Sequence, residues 1–286
     1  MRAVIVAAQH AAHQQTFGGA FAAGLRRHGW EVEISTIYKP ADMVVFWGVR
    51  KQDCIMAQRR HGEVCILERG YVGDRFAWTS VSFGGGLNGR GEFRGPLDDA
   101  SRWRRHFSGL MQPWRRQDGY ALIMGQVLND MSMSGLRPKD IWSKAAADLA
   151  ALGTDVRFKP HPKDRRQTHL PGVNGASGDL GAALAGASLV VTINSNSGVD
   201  AVLAGVPTVT LDAGAMAWPV TSHRIGDVLM PDRERWAHAL AWKQWLPEEM
   251  ASGECWEAVG CPGFGSPPTM TTSHAPQSPS PTRLDT

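Results

Sequence analysis

Ser188-Leu-Val-Val-Thr-Ile-Asn-Ser-Asn-Ser-Gly-Val-Asp-Ala-Val-Leu-Ala204 is a strand-length apolar run that passes through small polar residues into an apolar, helix-forming stretch. A strand over Ser188 to Ile193 followed by a helix from about Ser197 to Ala204 is half of a βαβ unit. The pattern recurs on both sides. Upstream lie strand candidates at Tyr120 to Met124 and Asp155 to Lys159, with a helix from about Pro138 to Leu152 and a short one near Leu180; downstream lie a strand at Thr208 to Leu211 and a final helix, Arg233 to Trp245. The first half repeats the alternation, with strands at Ala3 to Ala8, Glu31 to Thr36, Met43 to Trp47 and Glu63 to Leu67, and helices at about Gln14 to His28 and Lys51 to His61. Strands alternating with helices define an α/β class with parallel sheets. Two such series predict two Rossmann-like lobes facing a central cleft, one continuous sheet being the alternative.

The predicted organisation is an acceptor-side lobe over 1–118, a nucleotide-binding lobe over 119–245, a closing segment over 246–261 and a disordered tail over 262–286, where prolines stand among serines and threonines. Between Glu68 and Gln117 the periodicity fails and glycines and aromatics dominate, as in Glu68-Arg-Gly-Tyr-Val-Gly-Asp-Arg-Phe-Ala-Trp-Thr79. A segment this long inside a compact protein is functional or disordered, and its aromatics argue for the former. Tyr71, Phe76, Trp78 and Phe83 need somewhere to pack.

With 30 Lys and Arg against 27 Asp and Glu, the net charge of +3 does not require a polyanionic partner. The four cysteines, Cys54, Cys65, Cys255 and Cys261, show neither C-x-x-C spacing nor framework density, so a reducing, cytoplasmic setting is expected and a zinc site is not. His10 and His13 lack carboxylate or cysteine company and read as structural or ligand-lining, so no metal is expected. The chain has no run of about 18 apolar residues that would span a membrane.

In open parallel sheets ligands bind beyond the carboxyl ends of the strands, where helix N-termini attract anions. Three such junctions stand out. In Met124-Gly-Gln-Val-Leu-Asn-Asp130, Gly125 permits a sharp turn while Gln126 and Asp130 offer hydrogen bonds to a base or sugar; an Asx turn is the plain alternative. In Phe158-Lys-Pro-His-Pro162, two prolines fix His161 in one pose, and Lys159 adds charge for a phosphate. In Thr192-Ile-Asn-Ser-Asn-Ser-Gly198, four consecutive polar residues exceed what capping by Ser195 or Ser197 needs. A Walker loop is absent, Asn194-Ser-Asn-Ser-Gly198 is not a G-x-S-x-G elbow, and the one G-x-G-x-x-G match, Gly84 to Gly89, lacks its strand and helix.

Taken in order, Gly125-Gln-Val with Asp130, Lys159-Pro-His-Pro162, and Asn194-Ser-Asn-Ser-Gly198 with Asp200-Ala-Val-Leu-Ala-Gly-Val-Pro207 resemble the C-terminal lobe of the capsule polysaccharide glycosyltransferases, including the bacterial Kdo transferases, over roughly 120–220. That resemblance implies a GT-B glycosyltransferase fold and a nucleotide-sugar co-substrate, CMP- or UDP-linked, with no other cofactor. It places His161, Ser195 and Ser197 at the donor phosphate and Gln126, Asp130 and Asp200 around the nucleotide, with Gly125, Lys159, Asn194, Asn196 and Gly198 in the same pocket. The chain is far shorter than the duplicated capsule enzymes and its first lobe does not match them, so the sugar and acceptor do not carry over.

The stretch Glu68 to Thr79, together with Gln244-Trp245, resembles uncharacterised bacteriophage proteins grouped with glycosyltransferases. That resemblance implies either a hydroxymethylated pyrimidine in DNA or a surface glycan as acceptor. Arginine and tryptophan recur as Arg102-Trp103-Arg104-Arg105 and Trp114-Arg115-Arg116, which suits a phosphate backbone and stacked bases, or else solvated helix faces. The expected acceptor contacts are Arg69, Tyr71, Arg75, Trp78, Arg104 and Arg105. Glu68 and Asp74 are the candidate general bases, although either can instead pair with Arg69 or Arg75. A sugar-nucleotide epimerase and a non-catalytic nucleic-acid-binding protein are the competing readings.

Overall fold

A computed structural model describes residues 1–166 and 168–260, so the expected disordered tail, 262–286, lies outside the described residues. The chain runs β1 (Arg2–Val6), α1 (Ala12–Arg27), β2 (Glu31–Ser35), β3 (Met43–Trp47), α2 (Gln52–Gln58), β4 (Glu63–Arg69), β5 (Thr79–Phe83) and α3 (Ser101–His106). It continues through β6 (Tyr120–Met124), α4 (Pro138–Ala151), β7 (Val156–Lys159), β8 (Asn174–Gly175), α5 (Leu180–Ala185), β9 (Ala187–Thr192), α6 (Ser197–Leu203) and β10 (Thr208–Thr210). It closes with α7 (Glu234–Trp242), β11 (Gln244–Trp245), α8 (Pro247–Ser252) and α9 (Glu254–Val259).

These elements form two sheets, one per lobe. The first has the order β11-β5-β4-β3-β1-β2 and the second β10-β9-β6-β7-β8. Continuous apolar strands are what a sheet covered on both faces requires. In β1, Ala3 and Ile5 pack with Phe17, Phe21 and Leu25 of α1, whereas Val4 and Val6 pack with Ile55 of α2 on the other face. In β6, Ala121 and Ile123 face Trp142 and Leu149 of α4, while Leu122 and Met124 face Ala183 and Leu184 of α5.

Two expectations need correction. The aperiodic stretch from Glu68 to Gln117 contains a fully buried strand, β5, which pairs antiparallel with β4, and a helix, α3. Thr79-Ser-Val-Ser-Phe83 hides from hydropathy because its hydroxyls are buried along with Val81 and Phe83. Nor does the last helix run to Trp245 or the second lobe extend that far. Helix α7 ends at Trp242, and Gln244 and Trp245 pair with Ser80 and Thr79 of the first sheet. Trp245, wholly buried in the first lobe's core, draws the chain back, and α8 and α9 then pack against α1.

The lobes share a core as well as a cleft. Tyr71, Val72, Trp78, Trp103 and Phe107 pack directly against Val199, Val202, Met216, Val220 and Trp236. Two further ties cross between the lobes: Arg90 pairs with Asp212 at 2.6 Å and the Gly89 N–H donates to the Gly214 carbonyl at 3.0 Å. No described helix is long and apolar enough to cross a membrane.

Candidate active site between the lobes

In the second sheet the strand order reverses between β6 and β9, which opens a crevice at their carboxyl ends. Gly125 stands there because the chain passes so close to β7 that an added Cβ would lie 2.8 Å from the Phe158 ring and 3.1 Å from the Lys159 carbonyl. Gln126 and Asn194 bridge the crevice as a reciprocal pair: Gln126 Nε2 donates to Asn194 Oδ1 at 2.8 Å, and the Asn194 N–H donates to Gln126 Oε1 at 3.1 Å. Asn194 Nδ2 also donates to the Ser132 carbonyl and to Asp212 Oδ1. Both side chains are buried and committed to each other. The pair ties the exit of β6 to the exit of β9. Burial pushes the Asp212 carboxyl up, but hydrogen bonds from Arg90, Asn194 and the Gly214 N–H outweigh it and hold the group below its ordinary range.

His161 leaves β7 between its two prolines. The Lys163 N–H donates to His161 Nδ1 at 3.1 Å, which puts the ring proton on Nε2 and points a donor away from that turn. Burial, then the charges of Lys163 and Arg75, lower its pKa, so the ring is neutral near pH 7. Lys159 Nζ donates to the Gly178 carbonyl at 2.5 Å, which uses one of its three donors. Asp130 is exposed, and its carboxylate accepts the Ser132 N–H at 2.8 Å, the Asx arrangement left open by the sequence.

At the start of α6, Ser195 Oγ accepts the Ser197 N–H at 3.2 Å, so Ser195 does the local turn-holding. Ser197 differs: it is 9% exposed, and its hydroxyl has no partner among the described residues. Asn196 Nδ2 reaches across to the first lobe, donating to the Tyr71 carbonyl at 3.0 Å, while its buried Oδ1 is also without a partner. Gly198 lets α6 lie close to β9, where an added Cβ would meet the Thr192 methyl at 3.1 Å. Burial pushes the Asp200 carboxyl up to about 6, against the opposing charge of Arg75.

From the first lobe, β4 delivers Glu68 to the same cleft. Its Oε1 accepts the Arg69 N–H at 2.8 Å, and its Oε2 comes so near β3's exit that a Cβ on Gly48 would lie 3.2 Å away. Burial raises the Glu68 pKa and the charge of Asp130 adds to the rise, while the Arg69 hydrogen bond and the charges of Arg75 and Arg69 oppose it. Asp74 has a different position. It is exposed, and its Oδ1 accepts the Phe76 N–H at 2.9 Å to hold the β4–β5 loop.

The expected acceptor contacts divide. Tyr71 and Trp78 are 2% and 7% exposed in the core between the lobes, so they are packing residues. Arg104 and Arg105 are exposed on α3, Arg105 lying 3.9 Å from Glu254. Their neighbours are structural: Arg102 is buried against Glu249, and Trp114 lies under the Arg233 guanidinium. Arg69 and Arg75 do face the cleft. Arg69 lies 4.8 Å from the centre of the Phe76 ring and Lys163 of the second lobe lies 5.6 Å from it, so this 62%-exposed aromatic spans the cleft mouth. Lys163 and Asp212 escaped sequence reasoning, and Phe76 and Gln244 were noticed there without these roles, because each acts through a contact with a distant part of the chain.

Two α/β lobes whose strand ends face one cleft, with a shared core at one end, make this a GT-B-like fold. Solved structures similar to it include two of KpsC from Thermosulfurimonas dismutans. The β-Kdo 2,4-transferase is 17% identical with a TM-score of 0.50, covering 82% of this chain and 89% of that one. The β-Kdo 2,7-transferase is 14% identical with a TM-score of 0.51, covering 85% and 91%. No family model matches the sequence. No curated protein sequence matches it either.

Proposed function

We propose that this protein is a glycosyltransferase that moves a sugar from a nucleotide-sugar donor to an acceptor hydroxyl in the cleft. The observation that carries this reading is that the loop following Glu68 meets the second lobe at both donor-side junctions, Phe76 lying 5.6 Å from Lys163 beyond His161 and the Tyr71 carbonyl accepting from Asn196 beside Ser197. Glu68 acts as the general base. Its carboxylate takes the acceptor hydroxyl proton as that oxygen bonds to the anomeric carbon, and the bond from that carbon to the phosphate oxygen breaks with its electron pair leaving on the phosphate. His161 Nε2–H and the Ser197 hydroxyl donate to the phosphate as its charge grows. Glu68 suits the base role better than Asp74, whose carboxylate is occupied in an exposed turn.

The acceptor is read as a glycan hydroxyl. The arginine and tryptophan cluster that suited DNA is largely committed to packing, through Arg102, Trp103, Trp114 and the Arg115 donation to the Leu184 carbonyl. The solved likenesses are named as transferases of a sugar. The test is nucleotide release from CMP- and UDP-sugars with and without a glycan acceptor. Acceptor-dependent release that Glu68→Gln abolishes supports the reading; conversion of the donor's sugar without any acceptor would replace it with the epimerase alternative.

A further inference from the structure

Arg75 was expected on the acceptor side, yet its loop also reaches the donor-side lobe. It sits in the loop between β4 and β5, where its Nε donates to the Gly70 carbonyl at 2.8 Å. That bond fixes the root of the guanidinium, while its two terminal nitrogens take no acceptor and no carboxylate among the described residues. Its neighbour Phe76 lies 5.6 Å from Lys163 of the opposite lobe, and the Arg75 charge bears on Glu68 of its own lobe as well as on His161 after β7 and Asp200 in α6.

The loop is also held still. Gln244 Oε1 accepts the Tyr71 and Val72 N–H groups at 2.6 and 3.0 Å, Gln244 Nε2 donates to the Val72 carbonyl at 3.0 Å, and Asn196 ties the Tyr71 carbonyl to the second lobe. The open fork belongs to the loop whose Phe76 lies 5.6 Å from Lys163, two residues past His161, and whose Tyr71 carbonyl is bonded by Asn196, the neighbour of Ser197 with its unpartnered hydroxyl. Three donors without acceptors, one of them a cation, make an anion site, and a planar fork matches the paired oxygens of a phosphate.

We propose that Arg75 is a ligand of the donor's phosphate, clamping it from the first lobe opposite His161 and Ser197 and offsetting its charge as the sugar departs. The assignment rests on the nucleotide-sugar reading. It also makes the donor site a composite of both lobes, incomplete in either alone.

The experiment is calorimetric titration of the full chain with CMP and with UDP, for the wild type, Arg75→Met, Arg75→Lys and Phe76→Ala. The expected result is that the wild type binds one nucleotide and Arg75→Met weakens it about tenfold or more, the size of a charge-assisted hydrogen bond. Arg75→Lys falls between the two, and Phe76→Ala, which alters the same loop but keeps the fork, stays within about twofold of wild type. Equal affinity for wild type and Arg75→Met overturns the proposal alone, as does an equal loss in Phe76→Ala, which would make loop shape the cause. Failure of the wild type to bind either nucleotide overturns the nucleotide-sugar reading and this assignment with it.

Discussion

Gln244 accepts the Tyr71 N–H at 2.6 Å across 173 residues of sequence. One fully buried amide thereby sets the shape of the loop that carries Arg75, from a strand that returns to the first lobe only after the second is complete. Its oxygen and nitrogen serve the backbone of Tyr71 and Val72, and no water can replace them at that depth.

Removing this amide leaves two N–H groups and a carbonyl buried without partners. Gln244→Ala should therefore lower the unfolding free energy by about 3 kcal/mol or more, read from urea melts. Gln244→Glu should cost stability too, since a carboxylate cannot donate to the Val72 carbonyl.

Arg102 separates the structural from the solvated arginines. Its guanidinium donates bidentately to Glu249, reaches the Ala241 and Gln244 carbonyls and lies 4.0 Å from the centre of the Trp245 ring. Arg102→Met strands the Glu249 carboxylate in the core and should destabilise by roughly 3–5 kcal/mol. Arg104→Ala and Arg105→Ala, two and three positions away on the exposed face, should each stay within about 0.5 kcal/mol of wild type.

These contrasts mark what was legible in the sequence. The strands β1, β3, β6 and β9 and the junctions after β6, β7 and β9 were readable because apolar runs of strand length end in polar residues at one place each. Strand β5 was not, since buried serines and threonines carry no hydropathy signal. Nor was the division of labour within motifs. Ser195 and Ser197 look alike in sequence, but one hydroxyl holds a turn and the other is open; Gln126 and Asn194 lie in separate motifs, and only the fold shows that they hydrogen-bond to each other. Where the Arg75 loop faces was not legible either, because it is decided by tertiary contacts, here those of Gln244 and Asn196.

The base role of Glu68 has a pH signature. A base works only when ionised, and burial moves the Glu68 carboxyl above its ordinary range. The acid limb of kcat/KM should therefore fall at higher pH than an ordinary carboxylate would give, with activity rising as pH increases through it. Glu68→Gln should remove that limb and lower kcat by about 10²–10⁴-fold.

Asp200 predicts the opposite trend in stability. The folded protein holds its carboxyl protonated up to about 6, so the folded state binds more protons than the unfolded chain and stability falls as pH rises through that window. Asp200→Asn should relieve this cost, stabilising the protein at pH 8 by up to about 3 kcal/mol and by nothing measurable below about pH 4. Thermal melts of the two proteins across this range check it.

The central claim is that the cleft holds a nucleotide phosphate against His161, and thermal shift tests it most directly. A panel of CMP-, UDP-, GDP- and dTDP-sugars should contain one donor that raises the melting temperature of the wild type in proportion to its concentration, because a ligand of the folded state stabilises it by mass action. His161→Ala should fold and lose most of that shift. Stabilisation by none of the four donors, or a shift of full size in His161→Ala, would contradict the account.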